Sequence, residues 1–134
     1  MSRVLLDTSG YSAFLRGHQE VKSALQQAEE ISLTPVVLGE LLAGFLRGRN
    51  RRKNERELNA FLVSPRVRML TVDAETSERY AVILDRLREA GTPIPTNDVW
   101  IAACAMQHGL RLLTTDAHYR KVAQVIVDYF EPGP

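Results

Sequence analysis

Short apolar runs alternating with segments of helical periodicity constrain this chain more than any other feature. VLLD (4–7), ISLT (31–34), VRMLTV (67–72), LRLLTT (110–115) and QVIVDYF (124–130) have the composition of strands. Neighbouring side chains on a strand point to opposite faces, so a run that is apolar at successive positions must be covered on both sides. The cover is at hand in 9–17, 19–30, 35–48, 55–64, 74–91 and 98–109, which carry helix periodicity, with Pro35 suited to a first turn and Gly91 and Gly109 to helix ends. Strands and helices in alternation imply an α/β fold with a central, mainly parallel sheet of about five strands between two helix layers.

Composition narrows the partners. The 134 residues are 45% hydrophobic and 25% charged, ordinary for one globular domain, expected here over residues 1–134. Seventeen Lys and Arg stand against 16 Asp and Glu, so no global field favours nucleic acid or membrane, and any such partner must meet a local patch. That patch is RGRNRRKNER (47–56), with six basic residues and one acid in ten positions. No basic leader precedes a long apolar run and no segment has the ~20 apolar residues of a membrane span, so a cytoplasmic location without membrane contact is expected. Cys104, the single cysteine, lies in an apolar helical pattern and is expected as a buried thiol.

Four acids stand out by position. Asp7 ends the first strand and Asp116 follows LRLLTT, which puts both at the C-terminal edge of a parallel sheet, where open α/β folds place their ligand crevice. Glu40 sits inside VVLGELLAGFL with apolar residues one turn away on either side, an expensive place for an unpaired carboxylate. Asp98 begins the apolar helix DVWIAACA beside Asn97, and either residue is a good helix cap. Capping also accounts for Asp7 before Thr8 and Ser9 and for Asp116 before AHYRKVA, and an ion pair with a basic residue for Glu40. Capping does not account for every such acid adjoining one end of the sheet. Carboxylates converging without positive partners repel one another and raise their pKa values, a conflict that a divalent cation resolves. All-oxygen ligands suit Mg²⁺ or Mn²⁺, and His18, His108 and His118 are scattered, with no zinc-like spacing and with surface or core roles expected for each.

VLLDTS, VVLGELLAG, TNDVWIAACA and LLTTDAHY together resemble the motifs of PIN-domain nucleases, specifically the VapC ribonuclease toxins of bacterial toxin–antitoxin pairs, over essentially the whole chain. The resemblance implies a PIN-like three-layer α/β/α sandwich and a Mg²⁺- or Mn²⁺-dependent endoribonuclease, held inactive by a cognate VapB-like antitoxin and forming homodimers. Carried over by motif, Asp7, Glu40, Asp98 and Asp116 are its catalytic, metal-binding acids, with Ser9 and Thr114 or Thr115 as hydroxyls behind them.

The chemistry fits these residue types without the name. Phosphodiester hydrolysis needs an activated water, neutralised phosphate charge and help for the leaving oxygen, all within reach of metal ions held by carboxylates. Arg47, Arg49, Arg51 and Arg52, with Lys53 and Arg56, are expected either to grip RNA phosphates or to form a solvated helix connection. Trp100 and Tyr11 are available for base stacking, but packing is the better reading: Trp100 in the core, Tyr11 on a dimer or antitoxin surface. A haloacid-dehalogenase-type phosphatase would carry an acid at position 9, where Ser9 stands, and a receiver domain would carry paired acids after the first strand. The remaining alternative is a non-catalytic PIN-like RNA-binding scaffold.

Overall fold

In the computed structural model, which describes residues 2–133, the chain runs β1 (Arg3–Leu6), α1 (Thr8–Leu15), α2 (Gln19–Gln27), β2 (Glu30–Leu33), α3 (Pro35–Arg47), α4 (Arg51–Leu62), β3 (Val67–Met69), α5 (Ala74–Glu89), α6 (Thr96–His108), β4 (Arg111–Thr114), a 3-10 helix (Ala117–Lys121) and β5 (Val127–Tyr129). The five strands form one wholly parallel sheet in the order β3-β2-β1-β4-β5. Its centre is β1, whose Val4, Leu5 and Leu6 are fully buried together with Ile31 and Leu33 of β2 and Leu112 and Leu113 of β4. The apolar runs thus became the inner strands because only there are both faces covered.

Strand order reverses after β3. The chain leaves β1 through β2 to β3 on one side, then returns to pair β4 with the other edge of β1. Right-handed crossovers therefore put α1 to α4 on one face and α5 and α6 on the other. The packing agrees: α1 meets α2 and α3, α3 meets α4, and α5 meets α6. At the reversal point the C-terminal ends of β1 and β4 lie side by side, and Asp7 and Thr115–Asp116 follow them directly.

Caps fix where the helices begin. Thr34 accepts a bond from the Val37 amide with Pro35 in the first turn of α3, and Asp73 and Thr76 form a reciprocal capping box on α5. Gly109, at φ 64°, ends α6 in the left-handed region that glycine tolerates. Cys104 is buried, and burial pushes its thiol up to about 11, which leaves it unreactive as expected.

Several expectations need correction. Strand β3 stops at Met69 instead of Val72 because the chain turns away to the Asp73 cap, and β5 is confined to Val127–Tyr129. The basic run is helical from Arg51 onward, four residues before the expected start at Glu55. Tyr11 is not a surface residue: it is wholly buried and edges onto Phe61 at 5.3 Å, with Phe14 completing the cluster. Trp100 is half-buried instead of fully in the core, stacked on Tyr80 of α5 at 4.1 Å.

Candidate metal-binding acidic site

Asp7 is where strand geometry ends and site geometry begins. Its backbone leaves β1, and its carboxylate caps α1 by accepting the Gly10 amide at 2.7 Å. The Ser9 hydroxyl reaches both carboxylate oxygens, at 3.0 and 2.9 Å, and the Thr114 hydroxyl donates to Oδ2 at 2.8 Å. Capping and site membership are therefore compatible in one residue. Asp7 is only 3% exposed, and burial drives its pKa from 3.8 up to about 6 against those three bonds, with the Asp116 charge adding to the rise.

The hydroxyls behind Asp7 join two elements. Thr114, at the end of β4, also accepts the Asp116 amide at 2.8 Å, and Ser9 accepts the Thr115 amide at 3.1 Å. Of the two threonines it is Thr114 whose side chain touches an acid. Thr115 contributes its backbone N–H.

Glu40 lies half-buried on α3, beside the Val37–Leu41–Phe45 stripe that faces the core. Among the described residues no basic residue pairs with it. Thr8 donates to Oε1 at 2.5 Å and Asn97 to Oε2 at 3.3 Å, so Glu40 is held between the start of α1 and the first turn of α6.

The question of Asp98 is answered by where α6 starts. The helix begins two residues earlier, at Thr96 after Pro95, and no side chain caps it, so the expected cap at Asn97 or Asp98 does not form. Asp98 instead turns its carboxylate to the element after β4: Oδ1 accepts from the Tyr119 hydroxyl at 3.1 Å and Oδ2 lies 3.2 Å from His118 Nδ1. Its side chain is 13% exposed. Burial first and the Asp116 charge second raise its pKa, against the bonds from Tyr119 and His118. Asp116 caps the 3-10 helix by accepting the His118 amide at 2.9 Å and stands 3.2 Å from His118 Nδ1.

Sequence reasoning missed His118. One oxygen each of Asp98 and Asp116 and the imidazole nitrogen lie within 4.8 Å of one another. The available signal was the spacing in DAHY, since an Asp that caps a turn brings the residue two positions later back over its own carboxylate. His18 and His108 lie elsewhere: His18 caps α2 and bonds the Glu131 carbonyl at 2.7 Å, and His108 ends α6.

The donor set matches a hard divalent cation. Among the described residues no Lys or Arg lies within 4.0 Å of Asp7, Glu40, Asp98 or Asp116, while burial and mutual repulsion push two of these carboxylates up. Acids that lack a Lys or Arg counter-charge and disfavour one another's ionisation could hold a divalent cation, whose charge would relieve that cost. Among the described residues, those of the basic run make no ion pair with these acids. Arg47 closes α3, Arg49 lies in the connection, and Arg51 and Arg52 open α4, all exposed, with Arg51 pairing to Glu55 and Lys53 to Glu57 along the helix.

Comparison with known proteins identifies the family of the fold. The family model for the PIN domain matches residues 4–125. The chain is 36% identical over 98 residues to Ribonuclease VapC4 of Mycobacterium tuberculosis, covering 73% of this chain and 75% of that protein. The structure of FitAcB from Neisseria gonorrhoeae superposes with a TM-score of 0.79 at 30% identity, over 96% of this chain and 97% of the other. VapBC2 from Rickettsia felis, solved bound to a promoter DNA fragment, shares the fold with a TM-score of 0.83 at 21% identity, over 96% and 98% of the two chains. The PIN-domain model spans the sheet from β1 to β4 together with the helices between, residues 4–125, and the chain belongs to the PIN-domain family.

Proposed function

We propose that the chain is a Mg²⁺- or Mn²⁺-dependent endoribonuclease acting as the toxin of a toxin–antitoxin pair, with Asp7, Glu40, Asp98 and Asp116 as its metal-binding catalytic acids. The observation that carries this reading is the grouping of acids at the ends of β1 and β4: Asp98 and Asp116 bring carboxylate oxygens within 4.8 Å of each other, the Asp116 charge adds to the rise of buried Asp7 to about 6, and none of the four acids has a Lys or Arg partner among the described residues. The ribonuclease name of a relative sharing 36% of aligned residues supports the reaction class. When bound, a divalent ion supplies charge neutralisation at the phosphate and a more acidic water.

The chain's own part is positioning. Gly10, Ser9 and Thr114 hold Asp7, Thr8 and Asn97 hold Glu40, Tyr119 holds Asp98 and the His118 amide holds Asp116, so each carboxylate enters the reaction with its rotamer already set. Purified protein should cleave RNA with Mg²⁺ or Mn²⁺ and stop in EDTA. Asp98→Asn should cut at least about a hundredfold more slowly while remaining folded, because Asp98 caps nothing. An active Asp98→Asn would show the acids misassigned. RNA bound but uncut by wild type would establish the scaffold instead.

The basic run is the RNA-holding surface in this reading. Helix α4 begins with Arg51, Arg52 and Lys53, has no acid in its first turn and no side-chain cap from Asn50. Positive charge at a helix N-terminus opposes the helix dipole, and Arg placed before Glu at i, i+4 is the weaker orientation of that pair. These residues therefore cost the helix stability, which a solvated connection has no reason to accept. Replacing Arg49, Arg51 and Arg52 by Ala should weaken RNA binding and flatten its salt dependence by about 0.7 per lost phosphate contact, up to about 2 in all. Metal binding should not change, and an unaltered salt slope would remove this helix from the interface.

A cation-hungry crevice also explains inhibition by a small antitoxin protein that offers Arg or Lys to the acids. Expression of the chain alone, in the cytoplasm, should slow growth, whereas Asp98→Asn should be harmless at equal soluble level. The homodimer belongs to the same reading. Among the described residues no helix is long and apolar enough to cross a membrane.

A further inference from the structure

We propose that His118 is a nitrogen ligand of the divalent ion held by Asp98 and Asp116, and that it biases this site toward manganese over magnesium. The proposal rests on the metal-dependent reading above and assigns it a donor that the four acids do not include.

Three features put His118 there. Its Nδ1 stands 3.2 Å from Asp98 Oδ2 and 3.2 Å from Asp116 Oδ1, so the nitrogen and one oxygen of each acid converge on the same small space. The backbone is fixed on both sides of it. The His118 amide is tied to Asp116 Oδ1 at 2.9 Å, and the next residue, Tyr119, is 1% exposed with its hydroxyl on Asp98 Oδ1 at 3.1 Å. Asp98 is thereby divided in role, one oxygen held by tyrosine and the other turned to the imidazole.

The chemical consequence concerns which ion. Mg²⁺ takes oxygen ligands, keeps several waters and gains little from an imidazole, whereas later divalent metals accept imidazole more readily, with Mn²⁺ the first of that series. A site of two carboxylates and one imidazole therefore leans toward Mn²⁺ without excluding Mg²⁺. A purely orienting His118 would hydrogen-bond the carboxylates and affect both ions alike.

His118→Asn separates the two roles, because an asparagine amide near the Nδ1 position can still donate to the carboxylates but offers no imidazole nitrogen. Calorimetric titration with each ion alone should show the Mn²⁺ to Mg²⁺ affinity ratio of the variant falling about tenfold, with Mg²⁺ affinity changed less than about threefold. Pulsed EPR of the Mn²⁺-loaded wild type should show nitrogen-14 modulation from a directly bound imidazole, and the variant should lose it. Mn²⁺ binding to wild type without that modulation, or modulation that survives in His118→Asn, overturns the His118 assignment and leaves the nuclease reading intact. If wild type binds neither ion, the metal-dependent reading falls and this proposal with it.

Discussion

Asp7→Asn should abolish RNA cleavage while making the metal-free protein more stable at neutral pH. Both effects come from one charge. Burial raises the Asp7 pKa from 3.8 to about 6, and roughly two units correspond to about 3 kcal/mol at 1.36 kcal/mol per unit. The folded pKa lies above the unfolded one, so the stabilisation by a protonated Asp7 is fully present below pH 3.8 and is lost as pH rises through about 6. Above that, the folded protein carries the ionised form at a cost that asparagine does not bear. Asparagine keeps the acceptor for the Gly10 amide, but the Ser9 and Thr114 hydroxyls, which donate to Asp7, must turn to accept from its amide. A net gain of about 1–2 kcal/mol is therefore expected for the variant in EDTA at pH 7.5, shrinking toward zero by pH 4. Urea denaturation of both proteins across that range isolates Asp7, since every other titrating group is common to the pair. Excess Mg²⁺ should reverse the order, because a ligand bound only by the folded state stabilises it by RT ln(1 + [L]/Kd) and the variant has lost much of its affinity. A variant less stable than wild type at pH 7.5 in EDTA would mean that the bonds to Asp7 outweigh its burial.

What the sequence made legible depended on how local the cause was. Buried strands announce themselves because double-sided burial removes polar residues from the run itself, and Asp7 and Asp116 were locatable because each follows such a run. Strand order was not local. That β4 returns to the far side of β1 is a property of crossovers, and with it went the neighbourhood of His118, which meets Asp98 across 20 residues of chain. Asp98 could not be settled from its own stretch because Asn and Asp cap equally well, and the answer lay in Pro95, which moved the helix start two residues earlier. Tyr11 was misplaced for a related reason. On a helix of eight residues the apolar face is too short to assign by period, and only the approach of Phe61 from α4 shows that the ring is enclosed. The length of the basic helix escaped because charge hides periodicity: Leu58 is its only buried residue, so little apolar pattern marks where it begins.

Gly10→Ala offers the sharpest opposition between local propensity and tertiary packing. Position 10 is in the first turns of α1, where alanine in place of glycine should help by about 0.5–1 kcal/mol if the helix stood alone. It does not stand alone. A Cβ there would lie 2.7 Å from Leu6 Cδ1, 2.9 Å from the Leu113 carbonyl oxygen and 3.0 Å from Asp7 Oδ1. Leu6 can shift, but the carbonyl belongs to β4 and receives the Asp7 amide, and the carboxylate oxygen is the one the Gly10 amide itself holds. Relief requires α1 to move away from the β1–β4 edge, which opens the bonds that orient Asp7. Overpacking of this kind costs about 1–3 kcal/mol, more than the helix gains, so the variant should be destabilised and should bind divalent ions more weakly than its stability loss alone explains. Gly44→Ala is the matching control, since its Cβ would meet nothing within 4 Å on the exposed side of α3, and it should stabilise by about 0.5–1 kcal/mol without touching metal affinity. Urea denaturation and metal titration of the two variants give four numbers with opposite signs expected for stability. Should Gly10→Ala gain stability as Gly44→Ala does and keep full metal affinity, the contact between α1 and the end of β4 is looser than this structure has it, and Asp7 is held by its hydroxyl partners alone.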